Sequence, residues 1–140
     1  MNVYADASLL VALLVPDVFN DRAAAFLNAT KPMLHLSDFA AAEFASVIAR
    51  RVRTGDMERA SAERAFATFD AWATQRGPRL ETRTTDLARA ETCIRRLDLT
   101  LRTPDAVNIA IAERHGLAIA TFDVAMIAAA RALGVEVADA

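Results

Sequence analysis

The sequence has 140 residues, the length of one domain, and 54% of them are hydrophobic, which predicts a packed core rather than disorder. One cysteine excludes an internal disulfide, two histidines exclude a structural zinc cluster, and no apolar run approaches the roughly 20 residues of a membrane span. The net charge of −2 does not by itself indicate a nucleic-acid partner. We expect a single domain over residues 1–140 that stays reduced and cytoplasmic, because the first predicted strand begins at Asn2 and leaves no room for a signal peptide.

Short apolar segments alternate with helical segments along the chain, and glycines or prolines separate them. The predicted strands are residues 2–5, 33–36, 79–82, 117–121 and 135–137. The predicted helices run from residue 8 to Pro16, over 20–29, from Ser37 to about residue 53, from 56 to about 75, from Thr84 or Thr85 to about 97, from Thr103 to 115, and from about Asp123 to 133. This alternation predicts an α/β fold in three layers, with a central parallel sheet of about five strands flanked by helices.

Four acidic residues fall where this topology brings chain segments together. Asp6 directly follows the first strand, and Asp123 follows the fourth. Glu43 lies in the second turn of the helix after strand two, and Asp105 lies in the first turn of the helix that leads into strand four. Ligands of open α/β folds bind at the carboxyl edge of the strands. We therefore expect the four carboxylates to meet at that edge, within a few ångströms of one another.

Helix capping is the alternative explanation for acids at these places. Helix N-termini favour acidic side chains as caps and through the macrodipole. Several other acids of the chain need no further role than this, namely Asp17, Asp21, Asp38, Asp56 and Asp86.

The surroundings of Asp6 and Asp105 favour a cation site over simple capping. Both lie in strongly apolar segments that should be buried, and the only basic residue at helical spacing is Arg102. A buried carboxylate costs several kcal/mol unless it is paired or binds a cation. Oxygen ligands without thiolates suit Mg²⁺ or Mn²⁺. The pattern therefore predicts an acidic, metal-binding edge.

Four stretches of the chain, in this order, resemble a known family. They are YADASLLVALL, LSDFAAAEFASVIARR, LRTPDAVNIAIAERHGLAIATFD and LGVEV. Together they resemble the PIN domain, and more narrowly the small VapC toxin ribonucleases that are paired with a VapB antitoxin. The resemblance covers essentially the whole chain.

The resemblance implies a strand order of 3-2-1-4-5 and hydrolysis of RNA with bound Mg²⁺ or Mn²⁺. The residues that match the catalytic, metal-binding acids of the family are Asp6, Glu43, Asp105 and Asp123. Ser8 and Thr121 match supporting hydroxyl positions. The chain departs from many relatives at Asn108, where they carry histidine, and this affects at most the positioning of substrate.

The resemblance also implies partners. An RNA substrate, a VapB-type antitoxin and a second copy of the chain in a homodimer are expected, and no membrane. Arg102, one turn before Asp105, is the best candidate for a contact to an RNA phosphate. For the antitoxin, the apolar side chains around Phe19, Phe26 and Leu27, together with the stripe from Phe66 to Trp72, offer a docking surface.

Other functions remain as alternatives. A receiver domain would need a lysine near the last strands, and Lys31 is the only lysine. A dehalogenase-type phosphatase would need a second aspartate where Ser8 stands. Another Mg²⁺-dependent α/β phosphohydrolase is thereby weakened but not excluded. A PIN-like module that binds RNA or protein without cleaving stays open.

Overall fold

The computed structural model describes residues 1–140, which form ten helices and strands. In chain order they are β1 (Asn2–Ala5), α1 (Ala7–Leu14), α2 (Asn20–Thr30), β2 (Met33–His35), α3 (Asp38–Arg53), α4 (Arg59–Thr74), α5 (Thr84–Ile94), α6 (Thr103–His115), β3 (Ala118–Ala120) and α7 (Val124–Ala132). All seven predicted helices and three of the five predicted strands are present in the predicted order, and the fold is α/β with a parallel sheet flanked by helices. No helix is both long and apolar enough to cross a bilayer.

The sheet has three strands in the order β2-β1-β3, all parallel, so the prediction of five strands is wrong. At the two remaining predicted positions the chain forms one parallel bridge each, Ser37 with Leu80 and Ile119 with Val137. Leu80 exchanges both of its backbone hydrogen bonds with the segment after β2, while its neighbours Arg79 and Glu81 are exposed. Because only one residue of each outer segment pairs, the edges of the sheet stay short.

The core surrounds the central strand. Val3, Tyr4 and Ala5 of β1 have no exposed surface, as expected for a parallel strand that is covered on both faces. Helix α1 packs against α2, α3 and α4, and α5 packs against α6. Since β1 lies in the middle of the sheet, the residue that follows it, Asp6, is placed at the centre of the carboxyl edge.

Helix α6 is buried on almost every side. Residues 105–112 are all buried, which confirms the prediction from their continuous apolar character. The helix has a proline near its N-terminus and ends at Gly116, whose φ of 62° is the left-handed conformation that glycine favours. The proline marks where α6 begins and Gly116 marks where it ends, so Asp105 lies in the first turn of the helix.

Candidate active site

A cleft of about 300 Å³ opens at the carboxyl edge of the sheet, and we call it the acidic cleft. It is lined by all four acids that the sequence singled out, Asp6, Glu43, Asp105 and Asp123, and also by Ser8, Asn108 and Arg102. Thr121 does not line the cleft but lies directly behind Asp6. The topology therefore brings together residues that are up to 117 positions apart in the chain.

Asp6 is held by three neighbours at the end of β1. Its Oδ1 accepts hydrogen bonds from the Ser8 hydroxyl at 2.8 Å and from the Leu9 backbone N–H at 3.0 Å. Its Oδ2 accepts from the Thr121 hydroxyl at 2.7 Å, and Thr121 in turn lies 3.2 Å from Ser8. Burial raises the pKa of Asp6, and these hydrogen bonds oppose that rise. Asp6 thus caps α1 and also faces the cleft with no basic partner of its own.

Glu43 ends a buried chain of hydrogen bonds. The Asn108 amide donates to Glu43 Oε1 at 2.5 Å and to the Pro104 carbonyl at 3.0 Å. The Tyr4 hydroxyl donates to Asn108 Oδ1 at 2.5 Å and lies 2.6 Å from the Ser37 hydroxyl. Because the Tyr4 proton is used on Asn108, the Ser37 hydroxyl must be the donor to Tyr4. This chain fixes the amide of Asn108 so that its N–H groups point at Glu43.

The pKa of Glu43 lies close to neutral pH. The pKa of this carboxyl is raised to about 7, chiefly by burial and also by the negative charges of Asp6 and Asp105, while the hydrogen bond from Asn108 lowers it. Arg102 acts in the opposite direction, but its effect is smaller. An anionic cleft of this kind is stabilised by any cation that enters it.

Arg102 stands between the other two acids. Its Nε lies 3.4 Å from Asp105 Oδ2, and its Nη2 lies 3.8 Å from Asp123 Oδ2. Asp123 uses its other oxygen to cap α7, accepting from the Met126 N–H at 3.0 Å. The Arg102 side chain is 78% exposed, so these contacts are loose and solvated. The arginine predicted to contact RNA is thus oriented in this structure toward the carboxylates.

The four carboxylates line one cleft without forming a tight cluster. No three histidine, cysteine, aspartate or glutamate side chains converge closely enough to make a ready-made cation cage. The expectation that all four lie within a few ångströms of one another stays a prediction. Asp6 and Asp123 each accept a hydrogen bond from a backbone N–H of the helix that they cap. The donor set is nonetheless made of oxygens alone. It fits Mg²⁺ or Mn²⁺, since Mg²⁺ keeps several waters and needs only one or two carboxylates.

Two charged residues of the acidic cleft, Arg51 and Asp17, were not predicted to belong to it. Arg51 donates to Asp17 Oδ1 at 2.7 Å and to the Pro16 carbonyl at 3.1 Å. A sequence signal for Arg51 exists, because Glu43, Val47 and Arg51 recur every four residues along α3 and all line the cleft. No local signal identifies Asp17, whose place depends on how the segment between α1 and α2 folds back onto α3.

The expected antitoxin surface is only partly present. Phe26 and Phe69 are buried, and the Phe69 ring stacks on Phe44 with centroids 4.7 Å apart, so these two belong to the core. Phe19 stacks on Phe122 at 4.7 Å and lines the acidic cleft. Of the predicted apolar surface, therefore, only the half-buried side chains such as Phe19 and Leu27 remain available at the surface.

Comparison with known proteins gives a consistent result. The family model of the PIN domain matches residues 3–132. A search of curated proteins finds no match. Among solved structures, the chain is similar to the Mycobacterium tuberculosis sarcin-ricin loop cleaving toxin VapC20, at 18% identity and a TM-score of 0.72 over 91% of this chain and 94% of that chain.

Two further solved structures are similar over most of their length. FitAcB from Neisseria gonorrhoeae matches with 19% identity and a TM-score of 0.67 over 96% of this chain and 95% of that chain. VapBC2 from Rickettsia felis, bound to a DNA fragment from its promoter, matches with 12% identity and a TM-score of 0.60 over 89% of both chains. At these identities the likeness demonstrates a shared fold.

Proposed function

The chain belongs to the PIN domain family, and from that membership we propose that it is a divalent-metal-dependent endoribonuclease, the toxin component of a toxin–antitoxin pair. The observation that carries the proposal is the acidic cleft, where Asp6, Glu43, Asp105 and Asp123 line one opening at the carboxyl edge of the sheet. A solvent-reachable cleft lined by four acids has few uses other than holding cations against an anionic substrate.

Mg²⁺ or Mn²⁺ would be held by the four acids and would supply polarisation of the scissile phosphate and a bound water of lowered pKa. The chain itself orients those acids. Ser8 and Thr121 fix both oxygens of Asp6, and Asn108 fixes Glu43. Arg102 is flexible and exposed, so it can leave the carboxylates and contact a phosphate of the RNA.

The proposed partners follow from the same family. VapC20 is described as a toxin that cleaves the sarcin-ricin loop, and VapBC2 as a pair of proteins bound to promoter DNA. By analogy we propose that this chain cleaves a structured RNA in the cytoplasm, is inhibited by a small VapB-type antitoxin, and forms a homodimer. The antitoxin would cover the acidic cleft and the half-buried side chains Phe19 and Leu27.

One observation favours a second candidate, a PIN-like module that binds RNA or protein without cleaving it. The acids do not form a closed set of three ligands. A cleft that binds metal ions weakly would retain the anionic surface but lose catalysis.

A cleavage assay separates the two candidates. The purified protein is incubated with a pool of tRNA and rRNA in Mg²⁺, in Mn²⁺ or in excess chelator, beside the variant Asp123→Asn. We expect discrete cleavage products with either metal, none in chelator, and a loss of rate of at least about 100-fold in the variant. Binding without cleavage in every condition would favour the second candidate. Cleavage that persists in chelator would contradict the metal mechanism.

A further inference from the structure

A second pocket, of about 520 Å³, adjoins the acidic cleft. It lies between the end of α1, the end of α3 and the first half of α4, and its volume is within the ~300–1,000 Å³ range of pockets that hold small ligands. Its polar lining includes Arg51, Asp56, Glu58, Ser61, Arg64 and Thr68. Four of its eleven lining residues are hydrophobic, so the pocket offers both apolar contacts and hydrogen-bonding groups.

Arg51 is shared by the two cavities, since it lines both the acidic cleft and the second pocket. Its guanidinium is held by the ion pair with Asp17, where the side chains are 26% and 14% exposed. The bonds to Asp17 and Pro16 use two of the five N–H donors of the guanidinium, which leaves three. An arginine that is already oriented loses little entropy when it binds a phosphate.

We propose that the second pocket is a nucleotide subsite, in which Arg51 binds the phosphate next to the scissile one and the pocket receives the base of that nucleotide. This inference rests on the proposed ribonuclease function and adds a place for the substrate strand beyond the metal-binding acids. It makes Arg51 a positioning residue for RNA.

The lining of the second pocket fits an unstacked base better than an apolar peptide. Single-stranded RNA is recognised through hydrogen bonds to the edges of splayed bases, which present both donors and acceptors. Arg64 and the Ser61 hydroxyl can donate, whereas the Thr68 hydroxyl already donates to the Arg64 carbonyl at 3.0 Å. The carboxylates of Asp56 and Glu58 can accept from an amino group. The hydrophobic lining residues can contact the face of the base while the polar ones bind its edge.

The positions of Glu43 and Arg51 on α3 are consistent with an RNA strand that runs from the acidic cleft toward the second pocket. Glu43 and Arg51 lie two turns apart on one face of α3, which spans about 12 Å at 1.5 Å per residue. A polynucleotide that follows this face from Glu43 reaches Arg51, the basic residue that lines both the acidic cleft and the second pocket.

The test measures RNA binding in a protein that cannot cleave. In the Asp123→Asn background with Mg²⁺, fluorescence anisotropy compares a labelled single-stranded RNA of mixed sequence with a labelled dinucleotide. We expect Arg51→Gln to lower the ratio of long-RNA to dinucleotide affinity by about tenfold, the effect of one charge-assisted contact. Arg50→Gln is the matched control, because Arg50 is the exposed neighbour and lines neither cavity; it should change the ratio by less than about twofold.

A second variant guards against a purely structural effect, since Arg51 also ties α3 to Asp17. Thr68→Trp places a bulky ring in the second pocket from an exposed position on α4 and leaves the ion pair intact. It should lower the same affinity ratio by about fivefold or more while the melting temperature stays unchanged. Arg51→Lys, which keeps the charge but loses the planar fork, should give an intermediate ratio.

The outcomes distinguish this inference from the proposed function. If Arg51→Gln and Thr68→Trp bind long RNA like the Arg50 control while the wild type cleaves, the subsite is overturned and the ribonuclease stands. If the two variants weaken only binding of a protein partner, the second pocket is a protein-docking site and the inference is overturned as well. If the wild type neither binds nor cleaves RNA, both proposals fail.

Discussion

The hydroxyl of Tyr4 in the central strand donates a buried hydrogen bond of 2.5 Å to the side chain of Asn108, which is 104 residues away on α6. This bond fixes the orientation of the Asn108 amide, whose N–H groups donate to Glu43 and to the Pro104 carbonyl. The rigid middle of the sheet is thereby connected to a carboxylate of the acidic cleft. Burial raises the pKa of Tyr4, so the phenol stays protonated and keeps its role as a donor.

Replacing Tyr4 by phenylalanine should disturb both stability and the site. The substitution keeps the ring but leaves a buried oxygen of Asn108 and the proton of Ser37 without partners. We expect the free energy of unfolding in urea to fall by about 1–3 kcal/mol. RNA cleavage should slow several-fold, because the Asn108 amide is then free to rotate away from Glu43.

A double-mutant cycle with Asn108→Ala checks that this pair is the cause. If the two residues act through one hydrogen bond, the double variant should lose less stability than the sum of the single losses, by about 1 kcal/mol. Strictly additive losses would mean that Tyr4 acts through packing alone.

The second prediction concerns the pH dependence of stability. The pKa of Glu43 is raised from 4.5 to about 7 in the folded protein, chiefly by burial. The folded state therefore binds the proton more tightly, and wild-type stability should decrease as pH rises from about 4.5 to about 7. Glu43→Gln removes this penalty. In chelator, it should stabilise the protein by about 1 kcal/mol at pH 8, a modest value because the side chain is partly exposed.

The same pair of proteins at pH 4 supplies the control. There the wild-type carboxyl is protonated in both states, so the two unfolding curves should nearly coincide. A stability difference that is equal at pH 4 and pH 8 would show that the substitution acts through packing rather than through charge.

Local signals allowed helix α6 and its first-turn acid to be predicted, because Pro104, Gly116 and a continuous apolar run define that helix without help from the rest of the fold. The outer strands could not be predicted in the same way. Segment 79–82 has a strand-like place in the alternation, but only Leu80 pairs, and its neighbours Arg79 and Glu81 are exposed. Strand length there depends on tertiary neighbours that are not encoded locally.

The acidic cleft, too, was predictable from the sequence only in part. The topological argument placed four acids at one edge, and all four line one opening. Asp6 and Asp123 also cap α1 and α7, the role that the capping alternative gives to acids at helix N-termini. The Asp17–Arg51 pair joins a loop to the end of α3, a contact made only after the chain has folded.

The third prediction concerns a buried ion pair outside the cleft. Asp86 of α5 is 2% exposed and accepts hydrogen bonds from Arg114 of α6 at 2.8 and 2.9 Å. Burial alone would raise the pKa of Asp86, but the bonds from Arg114 and the Arg83 backbone N–H lower it below its usual value. Arg114→Met should cost about 3 kcal/mol at pH 7, because it leaves a buried charge without its partner.

The neighbouring pair Arg89–Glu113 is the matched control, because it joins the same two helices but its side chains are 40% and 37% exposed. Arg89→Met should cost less than about 1 kcal/mol. The effect of Arg114→Met should also shrink as pH falls through the lowered pKa of Asp86, since the wild-type bond is lost there too. Equal costs for the two variants would argue against a buried pair that holds α5 to α6.

The last prediction assigns Arg102 two opposing effects. Its guanidinium lies 3.4 Å from Asp105 and 3.8 Å from Asp123. In the metal-free protein, its positive charge therefore offsets part of the negative potential that would attract a cation. Arg102→Gln should therefore bind Mn²⁺ about threefold more tightly in calorimetry, because a competing positive charge is gone, and should bind single-stranded RNA more weakly, because a phosphate contact is gone. Arg96→Gln, which removes an exposed pair with Asp98 outside the cleft, should change neither affinity. If Arg102→Gln leaves the Mn²⁺ affinity unchanged, the loose contacts to the two carboxylates have no energetic role, and Arg102 acts on RNA alone.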